Sequence, residues 1–543
     1  MQSVKLSVTV KRQLERKYDS AALAKIHLAV RDWIAADAKR GIRTIHIAVD
    51  DGTAMRAMGA KPMTGKPTAA KVKRAVDNLW GRLNPDYLVI FGGDDIVPMF
   101  IVPNPSYDPG GDDDQKVPTD NPYASSAPFR ASKRSSYLVP DRVIGRIPDM
   151  LSDGDPGWFV DYLATATSWV SQSSSVYAGA YAICCDEWKG AGVACTQYVG
   201  EPSSRLLISP PISDGSSAAS RRLRARLHMI KCHGAQLDPK FYGQKGNSYP
   251  VALTSASLKP RLQPSTVAAA MCCYGAQVYS PMDPAAADPG KWPLASTYLR
   301  KGALGFAGST MIAWVGVPQM MCADWIVAGY LKALLGGASL GRAFLESKQD
   351  YVRWINQQGY APDIADEKTL IEFVLLGDPS IHPVSTAPTP AGRLMLAAVA
   401  PPAFALSAQE RRQRRIVRAN LAGQIRDLLP TRAVASAQAR ARANKVFAAA
   451  QTTLEKSVRE GFKEFGIRPG AARVEKLDTP LRAPVLARPG VASLSASAVQ
   501  SRQSLEYYWT GRRVLDGHKQ VRLVKVETDS EGNLLRTSVV HSS

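Results

Sequence analysis

The sequence predicts an α/β fold built on a mainly parallel sheet. Over the first 390 residues, short apolar runs alternate with stretches whose apolar residues recur at helical spacing. Several of the apolar runs end in polar or glycine-containing loops, as strands of an open parallel sheet do at their carboxyl ends. Near residue 390 this alternation stops, and Pro-rich and then Ala/Arg-rich sequence follows.

In chain order, RTIHIAVDD (43–51) and DYLVIFGGDD (86–95) are expected strands running into loops. AAKVKRAVDNLWGRL (69–83), between them, has the spacing of a helix. A Pro-, Gly- and Asp-rich loop (103–126) leads to an apolar return, YLVPDRVIGRIPDM (137–150), and a covering helix, GWFVDYLATATSWV (157–170). A second set begins near residue 176, with strands expected in 176–188, 226–235, 266–273 and 302–310. Residues 321–355 read as helical, and EFVLLGDPSIHPV (372–384) closes the set. STAPTPAG (385–392) reads as a linker, residues 408–463 as helical, and 520–540 as a hairpin turning at Asp529–Gly532. This divides the chain into an N-terminal α/β subdomain (1–172), a second α/β subdomain (173–385) and a basic C-terminal extension (386–543).

Composition narrows the class. Hydrophobic residues make up 45% and charged residues 21%, ordinary values for a soluble globular protein. No apolar run reaches 18 residues, so no membrane span is expected. The N-terminus lacks the apolar core of a signal peptide. GRLMLAAVAPPAFALSA (392–408) resembles such a core but is internal and broken by Pro401 and Pro402, so it reads as a linker or docking segment. Seven cysteines, including the adjacent pairs Cys184–Cys185 and Cys272–Cys273, are odd in number and sparse for a disulfide framework. Without CxxC pairs a zinc site has little support, and the expectation is reduced thiols in a cytoplasmic protein with no cofactor.

Net charge is +21, and residues after 390 carry 26 basic against 12 acidic side chains, about +14, including RRQRRIVR (411–418). Such a surface can attract nucleic acid, anionic lipid or an acidic partner or regulator, with a solvated helix face as the plainer reading. No aromatic interleaving or nucleic-acid motif accompanies it, so nucleic acid is not expected. The acidic loop (Asp108, Asp112, Asp113, Asp114, Asp120) offers the hard oxygen ligands calcium takes, against the plainer reading of a solvated loop. GGDD (92–95) and GDP (377–379) stand without the phosphate-cradling GxxxxGK[ST], and strand-end placement accounts for GGDD.

Two strand ends carry the chemistry. His233 follows the apolar HMIKC and precedes Gly234; Cys273 follows VAAAMC and precedes Tyr274–Gly275. A cysteine nucleophile needs an imidazole to move its proton and donors for the developing oxyanion. If the two strands are neighbours, both side chains emerge at one sheet edge. A redox pair at Cys272–Cys273 is disfavoured because vicinal disulfides are strained.

The strand–His–Gly then strand–Cys order resembles the caspase-like clan of cysteine peptidases (clan CD), which includes caspases, clostripain, legumain and gingipains. YLVIFGGDDIVP (88–98), TDNPYA (119–124), PDRVIGRIP (140–148) and LLGDPSIHP (375–383) resemble the gingipain-like branch, in order, across residues 85–385. The resemblance implies a caspase/gingipain-like three-layer sandwich in two adjoining subdomains, with a His233–Cys273 dyad in the second. The clan's nucleophile usually follows a small residue, which favours Cys273, with Cys272 as the alternative because Cys-x-x-Gly also occurs. The same pattern implies an oxyanion hole from the backbone amides of Gly234 and Cys273, and a carboxylate on the histidine, for which Asp186 and Glu187 are candidates. The expected activity is cleavage of a protein or peptide substrate through a thioester. The alternative is a catalytically silent scaffold that binds a partner through its basic C-terminal region.

Overall fold

The computed structural model describes residues 3–385, 423, 429–454, 456–481, 500–515 and 518–542. In chain order its strands begin with β1 (Ser3–Thr9), β2 (Ile42–Ala48), β3 (Tyr87–Phe91), β4 (Phe100–Pro103), β5 (Lys116–Thr119), β6 (Ile144–Ile147) and β7 (Tyr181–Cys185). They continue with β8 (Leu207–Ser209), β9 (Leu227–Lys231), β10 (His233–Gly234), β11 (Lys240–Tyr242), β12 (Val251–Thr254), β13 (Val267–Ala270) and β14 (Gly305–Ser309). The last are β15 (Trp314–Gly316), β16 (Phe373–Gly377), β17 (Thr431–Val434), β18 (Arg473–Leu481), β19 (Gln500–Leu515), β20 (His518–Asp529) and β21 (Leu534–Ser542).

Ten of these form one large, mainly parallel sheet in the order β2-β1-β3-β6-β16-β14-β13-β9-β7-β8. The protein is an α/β sandwich, as the alternation of strand and helix patterns predicts. Its central strand β13, VAAA, is buried at every position, so it has no polar alternation to show. The helix expected at 69–83 spans Ala69–Leu83; Thr68 Oγ1 caps it by accepting from Lys71 N, and it ends at Asn84 in the left-handed region.

Strand β1 lies in residues to which no role was assigned from the sequence, yet it pairs with both β2 and β3. Its Lys5 reaches Asp37 and Asp378, each at 2.5 Å, with all three side chains fully buried. Asp378 of the GDP tripeptide also accepts from Trp33 Nε1 at 2.9 Å, so it anchors the fold.

A cavity of about 190 Å³ is lined by Gly93 after β3, Pro148 after β6, Ala276 and Gln277 after β13, and Thr310 after β14. Strand ends from both expected subdomains therefore open at one edge of the sheet, where ligand sites of open α/β sheets gather.

Two expectations need correcting. The acidic loop is solvated only in part: Asp112 and Asp120 are buried and pair with Lys368 at 2.6 Å and Arg146 at 2.6 Å. Asp113 pairs with Lys519, and Asp108 accepts from Gly110 N. The C-terminal extension is also more than helices and a hairpin. The helices Ala437–Ala441, Ala443–Thr453 and Lys456–Glu464 accompany a six-stranded sheet, β15-β21-β20-β19-β18-β17. The hairpin turn falls where expected: the Asp529 carboxylate accepts from the backbone N–H groups of Glu531, Gly532 and Asn533. The basic run 411–418 and the segment 392–408 lie outside the described residues.

Candidate active site

Strands β9 and β13 are parallel neighbours with Ile230 opposite Ala270, and Met271 N donates to Ile230 O at 2.7 Å. His233 and Cys273 each stand three residues beyond that pair, so the register carries both to the same edge. Beyond β9 the chain turns into β10, where His233 pairs with Tyr242. Gly234 runs directly against the nucleophile candidate: a Cβ there would lie 2.0 Å from Cys273 O. Only glycine allows that approach.

The two thiols occupy different surroundings. Cys272 is fully buried in the main apolar core, its Sγ 3.8 Å from Ile230 O. Burial pushes its thiol pKa well above the usual range. Cys273 lies at the sheet edge, where its Sγ accepts from Ala313 N at 3.3 Å and sits 3.8 Å from Ala313 O. The next residue, Tyr274, has φ 55°. A left-handed tyrosine costs on the order of 1–3 kcal/mol and must be held by its surroundings. Tyr274 N donates to Met311 O at 2.8 Å and Tyr274 Oη to Asp114 Oδ1 at 3.0 Å. Asp114 Oδ2 in turn accepts from Ile312 N at 3.2 Å, so one carboxylate ties the β13 turn to the β14 turn.

The His233 ring is packed against Trp188, with ring centroids 4.3 Å apart, and against Tyr249 at 5.5 Å. Its Nε2 lies 2.8 Å from Gln244 Oε1. With that carbonyl as acceptor, the proton sits on Nε2 and Nδ1 is the basic nitrogen. The side-chain nitrogen of Gln520 lies 3.2 Å from the same Nε2 and donates to Gln244 Oε1 at 2.9 Å. Arg513 Nε donates to Gln520 Oε1 at 2.7 Å, which fixes the amide this way round.

The carboxylates expected to orient the histidine hold the neighbouring turn. Asp186 pairs with Lys245 at 3.4 Å, and Glu187 accepts from Gly246 N at 2.6 Å. These contacts steady the segment that presents Gln244. Trp188, Gln244, Tyr249, Ala313 and Gln520 escaped the sequence reading. Only Trp188 had a signal, because it lies just past the end of β7, beside β9.

No family model and no curated relative matches the chain. Among solved structures it is similar to one described as "Structure of Protease". The two are 14% identical with a TM-score of 0.46, over 70% of this chain and 78% of that one. No described helix is long and apolar enough to cross a membrane.

Proposed function

We infer that this protein is a cysteine endopeptidase of caspase-like type, with Cys273 as nucleophile and His233 as its acid–base partner. The observation that carries this reading is the register of β9 and β13, which brings an imidazole and a thiol to one sheet edge, with Gly234 packed on the Cys273 carbonyl. His233 takes the Cys273 proton, and Sγ attacks the peptide carbonyl carbon. His233 then gives that proton to the leaving amine, leaving a thioester on Cys273. Water, deprotonated by His233, attacks the thioester and releases the carboxylate and the thiol. The backbone amides of Gly234 and Cys273 are the proposed oxyanion donors. Gln244 acts as a positioning residue by holding the proton on His233 Nε2. Cys272 is core packing beside the nucleophile.

The test is stoichiometric labelling by peptidyl electrophiles of varied sequence, with the modified residue mapped by mass spectrometry. Where the thiol is accessible, Cys273 should carry the label, and Cys273→Ala should neither label nor hydrolyse peptides. Labelling at Cys272 would reverse the assignment. A chain with an accessible Cys273 that neither labels nor cleaves would be the silent scaffold.

A further inference from the structure

Strand β15 begins one residue beyond Ala313, whose backbone touches Cys273 Sγ. An extended peptide pairing with β15 therefore passes the thiol, by strand addition to a sheet edge. That place is taken by β21, which runs antiparallel with Trp314 opposite Ser542, Val315 opposite His541 and Gly316 opposite Val540. From the adjoining β20, Gln520 reaches the His233 imidazole. Both reactive residues are closed off in this arrangement: His233 is 4% exposed and Cys273 5%.

The closure is built in on three scales. Trp314 is sealed into a buried apolar cluster by Tyr508, Val521, Leu523 and Val540 of the C-terminal sheet. Lys525 pairs with the buried Asp363, and Arg432 with Glu367 at 3.3 Å, across the same junction. At the rim, Lys519 pairs with Asp113 beside the loop that holds Tyr274. Buried charge pairs between the two parts fix one docked position, because a displaced sheet leaves each charge without its partner.

We propose that the C-terminal sheet is an intramolecular inhibitor. Its β21 occupies the edge of β15 on which an extended peptide substrate docks, and its Gln520 caps the catalytic imidazole. The proposal rests on the peptidase reading, and it assigns a regulatory role to the basic extension. Substrate and sheet compete for one edge, so the chain works only when the sheet is displaced.

Three readouts on the full-length chain test it: hydrogen exchange at the amides of Trp314–Gly316, iodoacetamide alkylation of Cys273, and peptide turnover. In Lys525→Glu and in His541→Pro, exchange along β15 and alkylation of Cys273 should both rise at least about tenfold over the unaltered chain. Faster exchange with unchanged alkylation would overturn the proposal. If those variants fail to fold, Gln520→Ala, which removes the contact on the imidazole together with the bonds to Gln244 and Arg513, decides the matter. It should alkylate about threefold faster with β15 exchange unchanged, and an equal rate overturns the inhibitory contact. A variant that exposes Cys273 to iodoacetamide yet hydrolyses no peptide keeps the occlusion and sinks the peptidase reading.

Discussion

At the carboxyl ends of β3 and β6, charged side chains meet in ion pairs. Arg146 grips Asp120 through Nε at 2.8 Å and Nη2 at 2.6 Å, and its Nη1 donates to Gly92 O and Val97 O. Lys17 bridges Asp95 and Asp149, each at 2.7 Å, while Asp149 accepts from Gly93 N. At the carboxyl ends of β9 and β13, on the other half of the same sheet, a buried Lys231–Asp324 pair at 2.5 Å stands behind an imidazole, a thiol and two glutamine amides. An ion pair in a buried site holds its geometry because losing either partner strands a charge. Neutral donors and acceptors let a proton move without that penalty, which a cysteine–histidine pair requires. One edge thus holds two kinds of site: the first half is locked by ion pairs, and the second carries the groups proposed for proton transfer.

The largest expected effect is on the poised half. In a background such as Lys525→Glu, with the sheet displaced, Cys273→Ala should cut peptide turnover by roughly 10⁴-fold or more, since both the nucleophile and its acyl intermediate are lost. Steady-state assays check this, and turnover surviving in Cys273→Ala would place the chemistry elsewhere. On the locked half, Arg146→Met leaves Asp120 buried and unpaired and should cost about 3–5 kcal/mol in urea unfolding. A loss under about 1 kcal/mol would show that the pair does not lock that half.

Gly234→Ala drives a methyl group into the Cys273 carbonyl and should cost about 3 kcal/mol, the upper end of ordinary overpacking. Turnover in the displaced-sheet background should fall with it, because the β10 backbone has to move. Full turnover in a well-folded Gly234→Ala chain would separate the glycine from the site.

The smallest effect concerns pH. Burial pushes His228, on β9, down to about 4, where it rests against Tyr298 Oη at 2.7 Å and Ala225 O at 3.0 Å. Unfolded, it titrates near 6.5, so the unfolded chain binds the extra proton first. Its contribution to stability is present above about pH 6.5 and is lost as pH falls toward 4, about 1 kcal/mol at pH 5.5. Urea midpoints at about pH 7.5 and pH 5.5 should show this, with a shallower drop in His228→Gln. His46, in the first half, is likewise pushed to about 4 by burial, so this liability is shared by both halves.

Much of the fold was readable because helical and strand periodicities report which residues face a core. The helix Ala69–Leu83, strands β7, β9, β13 and β14, and the Asp529 turn all fall where those patterns put them. Strand β1 passed unassigned because its side chains give no clear pattern: Lys5, Ser7 and Thr9 are buried alongside Leu6 and Val8. The acidic loop looked solvated because the cations that neutralise it, Lys368, Arg146 and Lys519, lie far away in sequence. Gln244 and Gln520 carry no local signature of any kind, since an amide becomes informative only when its partner is known.

By itself the sequence determined the α/β class, the main alternation of strands and helices between residues 43 and 384, and the placement of His233 and Cys273 at strand ends. These depend on side-chain character over short windows, where burial and spacing leave a regular trace. Tertiary structure alone decided that β9 and β13 are neighbours in matching register and that Cys272 faces the core while Cys273 faces the edge. It alone placed Gln520 on an imidazole 287 residues away. Such contacts are set by how sheets pack and which edges remain open, and those conditions exist only once the whole chain has folded.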